Sequence, residues 1–282
     1  FYKVFGPGPG GMANALKFAQ ETAGALGPEL NYMMGEFKKN GAAIGMYAKG
    51  LGISNEHMQA MAKHARISGK SLTDQLNEVG SMSIQMGKQF GMSSKLIAQG
   101  MTEMSADFTN FGNIAKKEIA AAVVFAGKLG IEVKDFMGVL DKFDNFEDAA
   151  TGAAKLSQAF GMNLDAMKLM NEQNPAKRID MLREAFFATG KSIETMTSQE
   201  KKLLEAQTGL TGAALEGAFA QKNMGLSYED IEAGADQAAD KQLSQAEAMK
   251  ELADAIKLTH QTGKGSKSFT ESLFSGFVKG MS

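Results

Sequence analysis

One pattern limits what this chain can become more than any other: a glycine between two apolar residues, followed by a polar one. It occurs as Leu51-Gly52-Ile53-Ser54, Phe90-Gly91-Met92-Ser93, Leu129-Gly130-Ile131-Glu132, Phe160-Gly161-Met162-Asn163 and Met224-Gly225-Leu226-Ser227, with Thr208-Gly209-Leu210-Thr211 a weaker copy. Each reads as a helix ending on a left-handed glycine, where a Cβ would be strained. The next apolar residue folds back onto the last turn, and the polar residue caps the following helix. Proline usage agrees. Pro7, Pro9 and Pro28 lie near the start, and only Pro175 interrupts the rest. Little therefore opposes helix, and few β-branched runs favour strand. The predicted fold class is all-α: many short helices in helix-turn-helix units, forming an irregular bundle or partial solenoid, with a longer amphipathic helix near the C-terminus. Gly52, Gly91 and Gly130 stand 39 residues apart, but the following gaps are 31 and 48. A solenoid keeps its period, so helix-turn-helix units with insertions are expected.

The same signals divide the chain. Residues 1–11, FYKVFGPGPGG, read as a Gly/Pro linker, because alternating glycine and proline oppose helix. Residues 12–50 read as an N-terminal segment of two or three short helices, with Pro28 in a first helical turn and Gly41, Gly45 and Gly50 making it weakly helical or closely packed. Residues 51–235 are expected to form one compact multi-helix module. Within it, Asn174-Pro175 is an N-cap with proline at N1, and Ile179, Leu182, Ala185, Phe186 and Ala188 form a stripe that Gly190 stops. Thr197 with Glu200 is a capping box, and Ser227 with Asp230 opens another helix. Residues 236–260 read as one long amphipathic helix, with Leu243, Ala246, Met249, Ala253 and Ile256 at helical spacing. Residues 261–268, QTGKGSKS, are a flexible linker, and 269–282 an amphipathic tail carrying Leu273, Phe274, Phe277 and Val278. A start at Phe1 rather than Met reads as a fragment or processed product.

The residues that could carry chemistry have packing explanations. A net charge of -2 and a pI near 6.0 give no general attraction to nucleic acid or anionic lipid. With no cysteine, disulfides and thiolate metal sites are excluded. Gly69-Lys70-Ser71 and Gly190-Lys191-Ser192 echo a phosphate-binding loop, but His64 and Ala185 stand where its first glycine belongs. They read instead as a C-cap followed by an N-cap, with Ser71 and Asp74 resembling a capping box. His57 and His64 are seven residues apart, roughly 10 Å along a helix and too far to share a metal. His260 sits at a helix end, where a cation suits the dipole. Asp141, Asp144, Glu147 and Asp148 lack calcium-loop spacing, since Phe143 and Phe146 occupy a ligand position and the glycine position. They read as acids at a helix N-terminus. The run IAAAVVFAG from Ile119 to Gly127 is about half a membrane span and reads as a buried helix. No catalytic, cofactor-binding or metal-ligating residue is expected, and no enzyme. Phe143, Phe146, Phe160, Phe186, Phe187 and the 20 methionines are either core or a partner groove, core being the commoner use of such stripes.

The stretch from Phe143 to Gly209, and above all NEQNPAKRIDMLREAFFATGKSIETMTSQEKKLLEAQTGL, resembles a segment of tail length tape measure proteins of contractile-tailed bacteriophages. The likeness extends more weakly from about Ser93 to Leu215. It implies a structural protein of the virion, assembled in the host cytoplasm, that lies in the tail tube lumen and sets tube length. It also implies parallel copies of the chain, contacts with tail tube and baseplate hub proteins, no sequence-specific nucleic acid, and release on DNA ejection. The ruler part of such proteins is expected to be long continuous helix. The frequent glycine stops here read instead as a compact module near the baseplate end. Two other readings stay open: a different helical virion scaffold protein, and a membrane-active helical module touching the host membrane transiently during genome delivery. The second rests on IAAAVVFAG and the 269–281 tail.

Overall fold

The computed structural model describes residues 9–112 and 114–252. Among these residues the regular elements are all helical and there is no strand. The chain forms two compact units: Phe1–Phe108 with Ala238–Ser282, and Thr109–Gln237.

The first unit is built from α1 (Pro9–Leu26), a 3-10 turn (Gly27–Glu29), α2 (Leu30–Leu51), α3 (Asn55–Ser68), α4 (Leu72–Phe90) and α5 (Ser94–Ala106). Helix begins at Pro9, inside the stretch read as a linker, because proline is tolerated in a first turn; residues 1–8 lie outside the described residues. The segment 12–50 holds two helices of 18 and 22 residues. Its glycines do not break α2: Gly41 and Gly45 are buried within it, so close packing is the use made of them. Gly52, Gly69 and Gly91 are left-handed, with φ of 62°, 68° and 64°, and each ends its helix as the sequence pattern requires. Between these stops α4 packs on α2 and α5, and α3 on α1 and α5. Ile44, Tyr47, Met58, Leu76, Val79 and Ile97 lie in the shared core. Burying each such side chain contributes about 1.5–3 kcal/mol before entropy is counted.

The second unit contains a short turn α6 (Phe108–Phe111), then α7 (Lys116–Leu129), α8 (Asp135–Lys142), α9 (Phe146–Phe160) and α10 (Ala166–Asn171). It continues with α11 (Pro175–Phe187), α12 (Ser198–Thr208), α13 (Gly212–Phe219) and α14 (Tyr228–Asp240). Every residue from Ile119 to Ala126 is buried, as expected for a helix apolar on all sides. Among the described residues no helix is long and apolar enough to cross a membrane. Helix α11 packs against α7, α8 and α13. Two contacts are nearly backbone on backbone: a Cβ on Gly138 would lie 2.3 Å from the Gly209 carbonyl oxygen, and one on Gly217 would lie 2.0 Å from that of Leu129. Gly130, Gly161 and Gly209 are left-handed. Gly225 is not among the positive-φ glycines; it follows a 3-10 turn (Gln221–Asn223), so there is no α-helix for it to terminate.

Two expected boundaries change. The stretch 51–235 is not one module, because its helices divide between two cores at Phe108 and Thr109. The repeated cap pattern marks where helices end and carries nothing about which helices share a core. Nor is 236–260 one helix. Helix α14 stops at Asp240, residues 241–244 are non-helical, and helix resumes over 245–252. The break is held by α4. The Leu243 amide donates to Ser81 Oγ at 2.6 Å, Asn77 Nδ2 donates to the Leu243 carbonyl at 3.4 Å, and Gln85 Nε2 donates to the Lys241 carbonyl at 3.2 Å. Ser244 then makes a reciprocal cap with Glu247. The rest of that expected helix, the 261–268 linker and the 269–282 tail lie outside the described residues.

Candidate functional site

The residues weighed for chemistry are spread over the fold. His57 is in the first turn of α3, where its amide donates to Ser54 Oγ. His64 Nδ1 is 3.2 Å from Gln75 Oε1 across α3 and α4. His260 lies outside the described residues. Among the described residues no three His, Asp or Glu side chains gather where a metal could be held. The acids at 144–148 surround the start of α9, where Asn145 accepts from the Asp148 amide and closes the N-terminus. Gly69 and Gly190 are left-handed, and Ser71 caps α4 through the Asp74 amide.

Asp74 does not complete that cap. Glu36, reaching across from α2, does. It accepts from Ser71 Oγ and the Thr73 amide, each at 2.7 Å, from Thr73 Oγ1 at 2.7 Å and from the Leu72 amide at 3.2 Å. Burial pushes this carboxyl upward, but the bonds from Thr73, Ser71 and Leu72 outweigh it and hold it below the usual glutamate value.

The densest polar arrangement lies in the second unit on α11. Arg183 is 1% exposed. Its guanidinium donates to the Ala218 carbonyl at 2.8 Å, to that of Leu226 at 2.8 Å, to that of Asn223, and to Asp180 Oδ1. It also lies over the rings of Phe125 and Phe187. Asp180 Oδ2 accepts the Tyr228 amide at 2.7 Å and so caps α14 from a distance. Tyr228 Oη accepts from Asn174 Nδ2 and donates to the Glu118 carbonyl. One turn earlier, Arg178 donates to the carbonyls of Glu172, Leu140 and Met170. Burial pulls both guanidinium groups below their usual value and pushes Asp180 up, although Tyr228 and Arg183 oppose the latter shift. The donors of both arginines are aimed at backbone carbonyls of neighbouring turns. The arrangement ties α7, α11, α13 and α14 together.

The aromatic residues divide. Phe143, Phe160 and Phe186 are buried and Phe187 is partly so, whereas Phe146 is 58% exposed. Tyr32, Ile67, Leu96, Met167 and Met224 are also large, apolar and exposed. These side chains are the candidate contact points for partners. No protein-family model, curated protein or solved structure matches the chain.

Proposed function

We propose that this chain belongs to a tail length tape measure protein of a contractile-tailed bacteriophage. In this reading it is a structural, non-enzymatic component of the virion that sets tail tube length from within the lumen, contacts the baseplate hub, packs beside parallel copies of itself and leaves on DNA ejection. The observation that carries the reading is the resemblance of the stretch from Asn171 to Leu210. The all-helical make-up supports it, and so does the use of Arg178, Asp180 and Arg183 for internal packing rather than for a site open to substrate. A compact helical module suits an end of the ruler near the baseplate better than its extended middle.

The test is co-sedimentation of the purified chain with isolated tail tubes and with baseplates. Retention on baseplates or tubes, saturable and displaced by unlabelled chain, is the expected result. Recovery of all of the chain in the supernatant with both particles would remove the proposal. The membrane-active reading loses one of its two supports, because Ile119–Ala126 is interior to the second unit.

A further inference from the structure

Two exposed apolar points on this chain carry opposite charges around them. At the end of α3, Ile67 is 67% exposed and lies one turn after Lys63, with Lys70 just past the helix stop. Both lysines are exposed. Residues four apart on a helix share a face, so Lys63 borders Ile67 directly. Arg66 stacks over the ring of Tyr32, 4.6 Å from its centroid, and is held there by Glu29 at 3.0 Å. Tyr32 is itself 69% exposed. The stack joins the start of α2 to the end of α3 and fixes an exposed aromatic ring on Arg66, the residue before Ile67.

The second point is the opening of α9. Phe146 occupies its first position with 58% of its surface in solvent. Glu147 and Asp148 follow it, Asp144 precedes it, and Asp141 ends the run before; all four are exposed, against Lys142 in the same run and the buried Arg178 guanidinium, which lies within reach of Asp144. Phe143, three residues earlier, is fully buried, so the chain could have covered an aromatic here and leaves Phe146 out. An apolar centre with a charged rim is the general make-up of a protein contact surface. Opposite rims choose partner and orientation.

We propose that these two faces are partners, the acid-rimmed Phe146 face of one copy docking on the base-rimmed Tyr32–Ile67 face of another. The contact is heterologous: different surfaces meet, so each copy keeps one of each free. Such contacts propagate into rings or open filaments rather than stopping at a two-fold dimer. The inference deepens the reading of copies packed beside one another and rests on that part of it. It does not depend on tube or baseplate binding, which co-sedimentation reads separately.

The experiment is sedimentation velocity of the whole chain over a concentration series, with Phe146→Ser and Ile67→Ser made singly. Both side chains are exposed, so the variants keep the parent helix content, and circular dichroism checks that. The parent is expected to grow beyond dimers with concentration. Raising salt from about 0.1 M to about 1 M shortens the screening length from about 10 Å to about 3 Å and reverses that growth. Each variant alone should associate at least tenfold more weakly than the parent. The decisive arm is the equimolar mixture: each variant still owns the face the other lacks, so the mixture forms dimers and goes no further. A charge arm tests the rims: Glu147→Lys with Asp148→Lys abolishes association, and a copy carrying Lys63→Glu with Lys70→Glu restores it in the mixture. A parent that stays monomeric throughout, a Phe146→Ser chain that associates as well as the parent, or a mixture no more associated than its components would each overturn the proposal.

Discussion

Replacing Arg183 by methionine keeps most of the stem volume and removes the guanidinium. The side chain is 1% exposed and its donors serve three backbone carbonyls and Asp180. A charge-assisted hydrogen bond contributes about 1.5–3 kcal/mol, so four summed independently would exceed what one side chain delivers. Two features lower the cost. The carbonyls of Asn223 and Leu226 border a partly exposed turn and regain water. Asp180, pushed up by burial, can shed its unpaired charge only by taking up a proton, which limits the cost to that of protonation and lowers it as pH falls. The expected loss is about 3–5 kcal/mol, the range for breaking a buried pair from one side. It is read as a fall in the urea midpoint followed by far-ultraviolet circular dichroism at neutral pH. Asp180→Asn combined with Arg183→Met should lose less than Arg183→Met alone, because no buried charge remains. The pH dependence gives a further check. A carboxyl whose folded pKa is raised stabilises the fold as pH drops through that value towards the ordinary 3.8. The defect of Arg183→Met therefore shrinks on acidification. A loss under about 1 kcal/mol, or a defect that grows on acidification, would refute this account of the cluster.

Other substitutions separate backbone strain from crowding and polar capping. Gly91 has φ of 64° and open space where a Cβ would go, so Gly91→Val should cost about 1 kcal/mol or more from backbone strain alone, seen as a lower melting temperature. Gly138→Ala meets the Gly209 carbonyl instead and should cost about 1–3 kcal/mol by overpacking, with a displaced α8–α12 contact in a crystal structure of the variant. Glu36→Gln should weaken the fold at neutral pH. The stabilisation from a depressed carboxyl is present above the unfolded value of 4.5 and lost as pH falls through the folded one, so parent and variant should converge in acid during thermal melts. Ser244→Ala removes the cap over 245–252 and should cost about 1 kcal/mol, with faster hydrogen exchange at the Glu247 amide.

Local punctuation was readable because it is decided by a few neighbouring atoms. Glycines 52, 91, 130, 161 and 209 are left-handed, the Thr197–Glu200 box forms, and Asn174 caps α11. The break before Ser244 was readable too. Ser244 and Glu247 spell a capping box, but the apolar spacing through Leu243, Ala246 and Met249 imitates a continuous helix. In the fold Ala246 is exposed while Met249 is buried, so that stripe is not one face. Glu36 and Asp180 were not readable, because each caps a helix opening more than 30 residues away in the chain. Arg183 gave a faint sign: it sits three residues before Phe186 and four after Ile179, positions that share a buried face and normally take apolar residues. Which helices share a core was hidden altogether, since short amphipathic helices of similar composition do not encode their partners locally.

Residues 241–252 return to α4 after the whole second unit has been spelled out, with 156 residues separating Gln85 from Lys241. The order in which a ribosome delivers the chain therefore matters. The second unit can complete its own contacts as soon as α14 emerges, whereas on α4 the Asn77 and Gln85 side-chain NH2 groups and Ser81 Oγ wait for their partners until residues 241–243 arrive, although Asn77 Oδ1 already accepts from Tyr47 Oη. Closing a loop of that length in a disordered chain is entropically slow, and the barrier falls once the intervening unit has condensed. The first unit is thus the earlier to be made and the later to be finished. Through that interval the side of α4 that carries Asn77, Ser81, Gln85 and Lys88, and that will meet Lys241, Leu243 and Glu251, is open to other chains, which makes it a place where nascent copies are exposed to one another.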